Sequence, residues 1–461
     1  MGLRVTIDEI ALFERPMTFR LPFRFGAVTV TEAPQAFVRV RLTGEDGLSA
    51  TGVAAEMMMP KWFDKNPAKS PADTIADLRL SLAIAAGLYR DGASRPETAF
   101  GHHARVYSRQ IAATAEQGLP PLAGAYGPAL IDKAIVDGVL KLTGLDLAAG
   151  LRANVIGIDS RLTNDLAQED IDAFLRGVAP QPRVRLRHTI GFVDSLDSLA
   201  DEIAHTRPRY FKIKLSGDVA ADCARLRALT VALETLVPDF ATSLDANEQY
   251  DQKRLAELIA ALGKDHILSR LRFRLLYIEQ PLDRAATFVT PVTGAGDIPF
   301  IIDEADGSYD AFPKAAALGY RGVSSKACKG LYKSLINAAR VAAWNRRDGV
   351  PEHWFVTGED LTCQAGLGVQ QDTALVACLG IGHVERNGHH YVDGFGAAPA
   401  AEAAGFAAAM PGFYERQGDT WVLAVGTGEL PTAPLLTPGF ASGAMPDWAS
   451  LAQIKDHAHV A

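Results

Sequence analysis

Two lysines stand two residues apart in Phe211-Lys-Ile-Lys-Leu-Ser-Gly-Asp218, alternating with Phe211, Ile213 and Leu215. In a strand such positions share a face, so Lys212 and Lys214 point the same way. On a solvated edge strand that is an ordinary guard against aggregation. Further along, Asp245 ends the apolar run SLDAN, Glu279 ends YIEQP, Asp303 ends IIDEA and Lys326 ends GVSSK. One acid before a loop is ordinarily a helix N-cap. Three in series, brought together, would repel strongly in a poorly solvated place and would require a cation. Carboxylate oxygens suit a hard cation such as Mg²⁺, and no Cys or His set nearby suggests zinc.

This inventory suits proton abstraction α to a carboxylate. A divalent ion on the substrate's carboxylate oxygens stabilises the ene-diolate that forms. Lysine serves as a base only if its pKa falls towards the working pH. A neighbouring ammonium and a nearby metal both push it down, so one lysine of the pair depresses the other.

Such residues act together only if the fold gathers them. Arg4 to Phe13 and Ala36 to Leu42 alternate as strands, Glu45-Asp46-Gly47 supplies a turn, and a further strand runs through Thr51 to Glu56. Helical spacing starts near Pro71, and a second helix from Pro128 ends near Gly144, a good C-cap. From Val184 the character changes. Short β-rich segments recur, each followed by a helical stretch: Val184 to Ile190, Tyr210 to Leu215, Phe240 to Ala246 and Leu275 to Pro281. They continue with Pro299 to Ala305, Tyr320 to Lys326, His353 to Glu359 and a weaker Ile381 to Val384. The recurrence of about 23 to 35 residues is that of a βα unit, and eight units close into a (β/α)₈ barrel. In such a barrel the C-terminal strand ends converge on one mouth. The predicted fold is α/β. A (β/α)₈-type barrel over 156–395 carries an α+β capping domain over 1–155, and the segment 396–461, with WVLAV as a strand, packs back on cap or barrel.

The ordered set KIK (Lys212 to Lys214), LDAN (Leu244 to Asn247), IEQP (Ile278 to Pro281), DE (Asp303, Glu304) and KACKG (Lys326 to Gly330) resembles the enolase superfamily. Within its mandelate racemase/muconate lactonizing enzyme branch, the lysine on the sixth strand resembles the muconate-lactonizing-enzyme-like subgroup. The resemblance covers most of the chain, with GVAAE (Gly52 to Glu56) and the helix around Asp132 to Gly144 in the place of the family's cap. It implies that Lys214 is the base on one face of the substrate and Lys326 the acid or base on the other. Lys212 would tune Lys214 and touch the substrate carboxylate. Asp245, Glu279 and Asp303 would hold Mg²⁺, or Mn²⁺ in its place. Asn247 would support metal or substrate. Apart from the resemblance, the end of the seventh strand, Thr357 to Asp360, offers Glu359 and Asp360 as acids for contact with the substrate.

Mandelate-racemase-like members use a His-Asp pair instead. His353 and His383 show no partner for that role and read as core or loop histidines. Several features depart from the pattern. Lys329 is followed by Gly330-Leu331 rather than two glycines, and Ser324-Ser325 replaces more apolar residues. The eighth strand lacks the Asp-x-Asp of dipeptide epimerases. The segment MMMPKWFDKNP (Met57 to Pro67) lies where the family's specificity loops lie, as substrate cover or as domain packing.

The expected activity is that of a racemase or epimerase, since two opposed lysines permit 1,1-proton transfer. A dehydratase (lyase) or cycloisomerase (isomerase) is the near alternative. A Schiff-base aldolase or a non-catalytic binding barrel is the distant one. The chain has 461 residues, a net charge of −8 and 48% apolar residues, which argues against nucleic acid as partner. Four dispersed cysteines suggest no disulfide framework. No apolar run reaches membrane-spanning length and the N-terminus reads as no signal peptide. A cytoplasmic homo-oligomer acting on a small carboxylate is the expectation.

Overall fold

The alternation that begins at Arg4 runs much further than Phe13. A computed structural model describes residues 2–25, 28–192, 194–292 and 296–454. In it, strand Arg4–Phe25 pairs antiparallel with Val28–Gly44, and Ser49–Met57 adds to the far edge. The register shifts between Thr18 and Phe23, and the hairpin keeps pairing to Phe25↔Val28. Pro16 and Pro34 hid this length from a propensity reading, because proline removes a ladder donor.

Helices cover this sheet. Pro71–Arg90 opens on a capping box, with Ser70 accepting from Asp73 N and Asp73 reaching back. Tyr126–Thr143 is buried from Tyr126 to Leu140 and ends at Gly144 in the left-handed region, φ 66°. It lies so close to the sheet that a Cβ on Gly52 would stand 1.8 Å from the Ala134 carbonyl oxygen. Only glycine allows that contact.

The barrel strands are Arg183–Ile190, Tyr210–Lys214, Ala241–Asp245, Leu275–Glu279, Phe300–Ile302, Gly322–Ser325, Phe355–Gly358 and His383–Glu385. All neighbours run parallel, and His383↔Arg185 through Glu385↔Arg187 closes the ring. Every strand lies within two or three residues of its predicted place. The tail serves both domains. Glu429–Pro431 pairs with the first barrel strand and Ala452–Gln453 with the first cap strand. WVLAV supplies Trp421 to Leu423 of strand Thr420–Leu423, which forms a small hairpin with Tyr414–Gln417. Residues 455–461 lie outside the described residues.

The four cysteines are buried and free. Among the described residues no helix is long and apolar enough to cross a membrane.

Candidate active site

The barrel strands bring charged side chains together in the barrel, most of them from their C-terminal ends. The second strand buries both lysines, with Lys212 1% and Lys214 5% exposed. Buried this deeply, they do not guard an edge. Lys214 Nζ lies 2.5 Å from Asp245 Oδ2 on the next strand. Lys212 Nζ stands at the centre of four carboxylates: Asp245 (2.9 Å), Glu279 (3.0 Å), Glu359 (2.9 Å) and Glu385 (3.0 Å). Burial opposes its charge, yet these acids together hold the Lys212 pKa well above the usual lysine range. Lys212 is thus a fully engaged cation.

The third, fourth and fifth strands place Asp245, Glu279 and Asp303, all 0% exposed. Non-glycine residues at positive φ follow two of these ends: Asn247 (42°), Glu248 (69°) and Gln280 (37°). Such backbone persists only where its surroundings over-determine it. At Gln280 the surroundings are visible. Its Oε1 accepts from Asp303 N (2.8 Å) and Ala305 N (3.1 Å), and its Nε2 donates to Leu282 O and Thr287 Oγ1. The glutamine of IEQP therefore fixes the backbone that presents Asp303.

The sixth strand brings Lys326 to Asp303 Oδ2 at 2.7 Å. Burial opposes the Lys326 charge, but Asp303 outweighs it and raises its pKa. Lys329 bridges Asp303 (3.3 Å) and Asp306 (3.2 Å). Ser324 donates to Asp303 and accepts from Lys329 at 2.7 Å, and Ser325 meets Ser334 at 3.0 Å. The two serines that replace apolar residues thus serve a buried carboxylate and the next helix.

Asn247 donates to Glu304 Oε1 at 3.1 Å, beside the mouth. Glu359 and Asp360 are placed differently from the expectation for substrate contacts. Glu359 is buried against Arg187, Lys212 and Tyr277. Asp360 accepts from Cys363 N, Asn387 N and Gly388 N, and its carboxylate braces the loop after the eighth strand. His383 stacks on Tyr210 with ring centroids 4.2 Å apart and meets Arg187 through Nδ1. Burial and the adjacent arginines push its pKa down to about 3. His353 packs edge-on against Trp354.

Two members of this network escaped the sequence. Arg187, 0% exposed, enters from the first strand and binds Glu359, Gly358 O and His383. Glu385 enters from the eighth and accepts from Thr189, Lys212 and Asp360 N. The predicted eighth strand stops at Val384, one residue short of it. An arginine inside the apolar run VRLRHTI was the available signal for Arg187.

Could these acids hold a metal? Among the described residues no three His, Cys, Asp or Glu side chains converge as a ready-made metal cluster. Asp245 is drawn to Lys212 and Lys214, and Asp303 to Lys326 and Lys329. Glu279 is the informative member. Its Oε1 accepts from Lys212, while Oε2, at a similar distance, receives no aligned hydrogen bond. Burial, then Asp245 and Glu359, push its carboxyl well above the usual range. A buried carboxylate short of positive charge, flanked by two more on adjacent strands, fits a hard divalent cation.

A scan against protein-family models finds no match, and neither does a search of curated proteins. Solved structures do match. The L-Ala-D/L-Glu epimerase from Bacillus subtilis, in a substrate-liganded complex, is 16% identical with a TM-score of 0.57, covering 94% of this chain and 98% of that one. A dipeptide epimerase from Enterococcus faecalis V583, complexed with Mg and the dipeptide L-Leu-L-Tyr, is 16% identical with a TM-score of 0.58, covering 95% and 99%. A member of the enolase superfamily from Roseovarius nubinhibens ISM is 17% identical with a TM-score of 0.57, covering 98% and 99%. The chain has the capped-barrel fold of these enolase-superfamily proteins over nearly its whole length.

Proposed function

We propose that this chain is an enzyme that removes and returns the α-proton of a small carboxylate substrate, as a racemase or epimerase. The observation that carries the reading is the pairing of two buried lysines with acids of neighbouring strands: Lys214 with Asp245 on one side, Lys326 with Asp303 on the other. The similar solved structures include epimerases, and two of those described above carry Mg or substrate. That supports the kind of reaction without naming the substrate. The missing Asp-x-Asp at the eighth strand, where Glu385-Arg386-Asn387 stands, speaks against a dipeptide.

Asp245, Glu279 and Asp303 would hold Mg²⁺. Bound there, it would draw electron density from the substrate carboxylate and stabilise an ene-diolate. The chain's own residues do the rest. Lys214 takes the proton from Cα on one face, and Lys326, held as an ammonium by Asp303, delivers one to the other. Lys212 links the four acids around it, two of which also meet Lys214 and Arg187, and keeps the strand ends together. Asn247 and Glu304 buttress the third and fifth strand ends through their mutual hydrogen bond.

Proton NMR in D₂O tests this. The protein with Mg²⁺ is incubated with acyl amino acids, amino-acid betaines, hydroxyprolines and sugar acids. Loss of an α-proton signal with inversion is the expected result. Elimination instead of inversion would make it a dehydratase. No exchange together with no Mg²⁺ binding would overturn the reading.

A further inference from the structure

The cap lends the mouth an aromatic side chain. Trp62, in the loop after Ser49–Met57, is 3% exposed. The Lys326 ammonium stands 4.2 Å from the centroid of its ring. A ring face attracts a cation, most strongly when water is excluded, and tryptophan does so best. Among the described residues no ring is found over Lys214, whose close partner is Asp245. The two lysines assigned to opposite faces of the substrate therefore differ in one respect.

The indole is also firmly mounted. Arg284, beyond the fourth barrel strand, donates to Phe63 O (2.9 Å) and Trp62 O (3.4 Å) while gripping Glu248 through Nε and Nη2. Lys65 reaches Glu248 (2.6 Å), Glu304 (3.1 Å) and the Asn247 carbonyl (3.0 Å). Phe63 packs edge-on between Trp62 and Tyr126. The loop is pinned to the barrel at Trp62, Phe63 and Lys65. A tryptophan at a domain interface is ordinarily packing, with its face on apolar neighbours. Here the face meets the ammonium of one particular lysine.

We propose that Trp62 is a positioning residue for Lys326: its ring holds the ammonium in place beside Asp303 and so sets the reactivity of the sixth-strand face alone. This rests on the two-lysine reading above. It adds that the cap governs one face of the substrate and not the other.

Two readouts on the full-length protein test it separately. Limited acetylation with acetic anhydride, read lysine by lysine by mass spectrometry, needs no substrate. Trp62→Leu fills apolar space but has no ring face, and should raise acetylation of Lys326 relative to Lys214 by about tenfold. Trp62→Phe should retain most of the wild-type ratio. α-Proton exchange in D₂O, from each enantiomer of a substrate found in the panel, is the second readout. Trp62→Leu should slow exchange only for the enantiomer whose exchange Lys326→Ala abolishes. Both lysines becoming more reactive together would make the loop a common lid and overturn the proposal. An unchanged ratio would reduce Trp62 to packing and overturn it too. The expected labelling with no exchanging compound would support the positioning and remove the two-lysine chemistry. Exchange with an unchanged labelling ratio would do the reverse.

Discussion

The barrel mouth and the heart of the cap both bury charge, and they balance it differently. In the cap, Lys133 faces Glu56 at 2.9 Å and also donates to Ala55 O. Asp137 accepts from Val53 N, Lys141 and Phe440 N. His103 lies between Asp132 (2.6 Å) and Tyr309 (2.8 Å). These contacts tie helices to the sheet, the tail and the barrel. At the mouth Lys212, Lys214 and Arg187 serve four carboxylates between them, and among the described residues Glu279 pairs only with the shared Lys212. Buried charge by itself therefore does not mark a site. Imbalance at converging strand ends does, because a ligand has something to complete there.

The largest expected effect separates the two regions. Lys214→Ala should lower α-proton exchange by about a thousandfold, within the range for loss of a general base, with little change in melting temperature. Lys133→Met should do the opposite. It strands Glu56 in the cap and should cost about 3–5 kcal/mol of stability by chemical denaturation, and Glu56→Gln added to it should recover much of that. A cap that tolerated Lys133→Met unchanged would break the contrast.

A third probe lies outside both regions. His188, on the first barrel strand, faces Glu202 of helix Leu196–Thr206 at 3.9 Å. Burial pushes its pKa from 6.5 down to about 4, against the pull of Glu202. A histidine held neutral when folded binds fewer protons than when unfolded between those values. Its contribution is fully present above pH 6.5 and is lost as pH falls towards 4, at about 1.4 kcal/mol per pH unit within that window. Denaturant unfolding at pH 7, 6 and 5 should show this slope, and His188→Gln should flatten it.

The smallest expected effect on stability is the sharpest for the comparison. Glu279→Gln removes a charge that burial and its neighbours disfavour. It should leave the melting temperature equal or slightly higher while abolishing Mg²⁺ binding by calorimetry. Stability bought back at the expense of function is the mark of a site rather than of a scaffold. A fall in stability as large as that of Lys133→Met would place Glu279 with the structural pairs.

The barrel was legible because each strand is a short apolar run between helical stretches, and a charge at its end stands out. Lys212, Lys214, Asp245, Glu279, Asp303 and Lys326 were visible for that reason. Arg187 and Glu385 were not. One stands mid-strand in a run that already holds Arg185 and His188, so its charge does not stand out, and the other ends a three-residue strand defined by closure of the ring rather than by its own sequence. Asp360 read as a substrate contact because a strand-end carboxylate looks the same whether it faces a mouth or caps amides. The surroundings of Lys212 were not legible for a related reason. Its neighbour in sequence is Lys214, but its neighbours in space are acids from four other strands.

The central claim is that Lys214 and Lys326 work on opposite faces of one α-carbon. Exchange in D₂O with Mg²⁺, followed from each enantiomer in wild type, Lys214→Ala and Lys326→Ala, tests it directly. The account predicts that each variant loses exchange from one enantiomer and retains it from the other, in complementary fashion. Both variants losing exchange from the same enantiomer, or neither losing any, would contradict it.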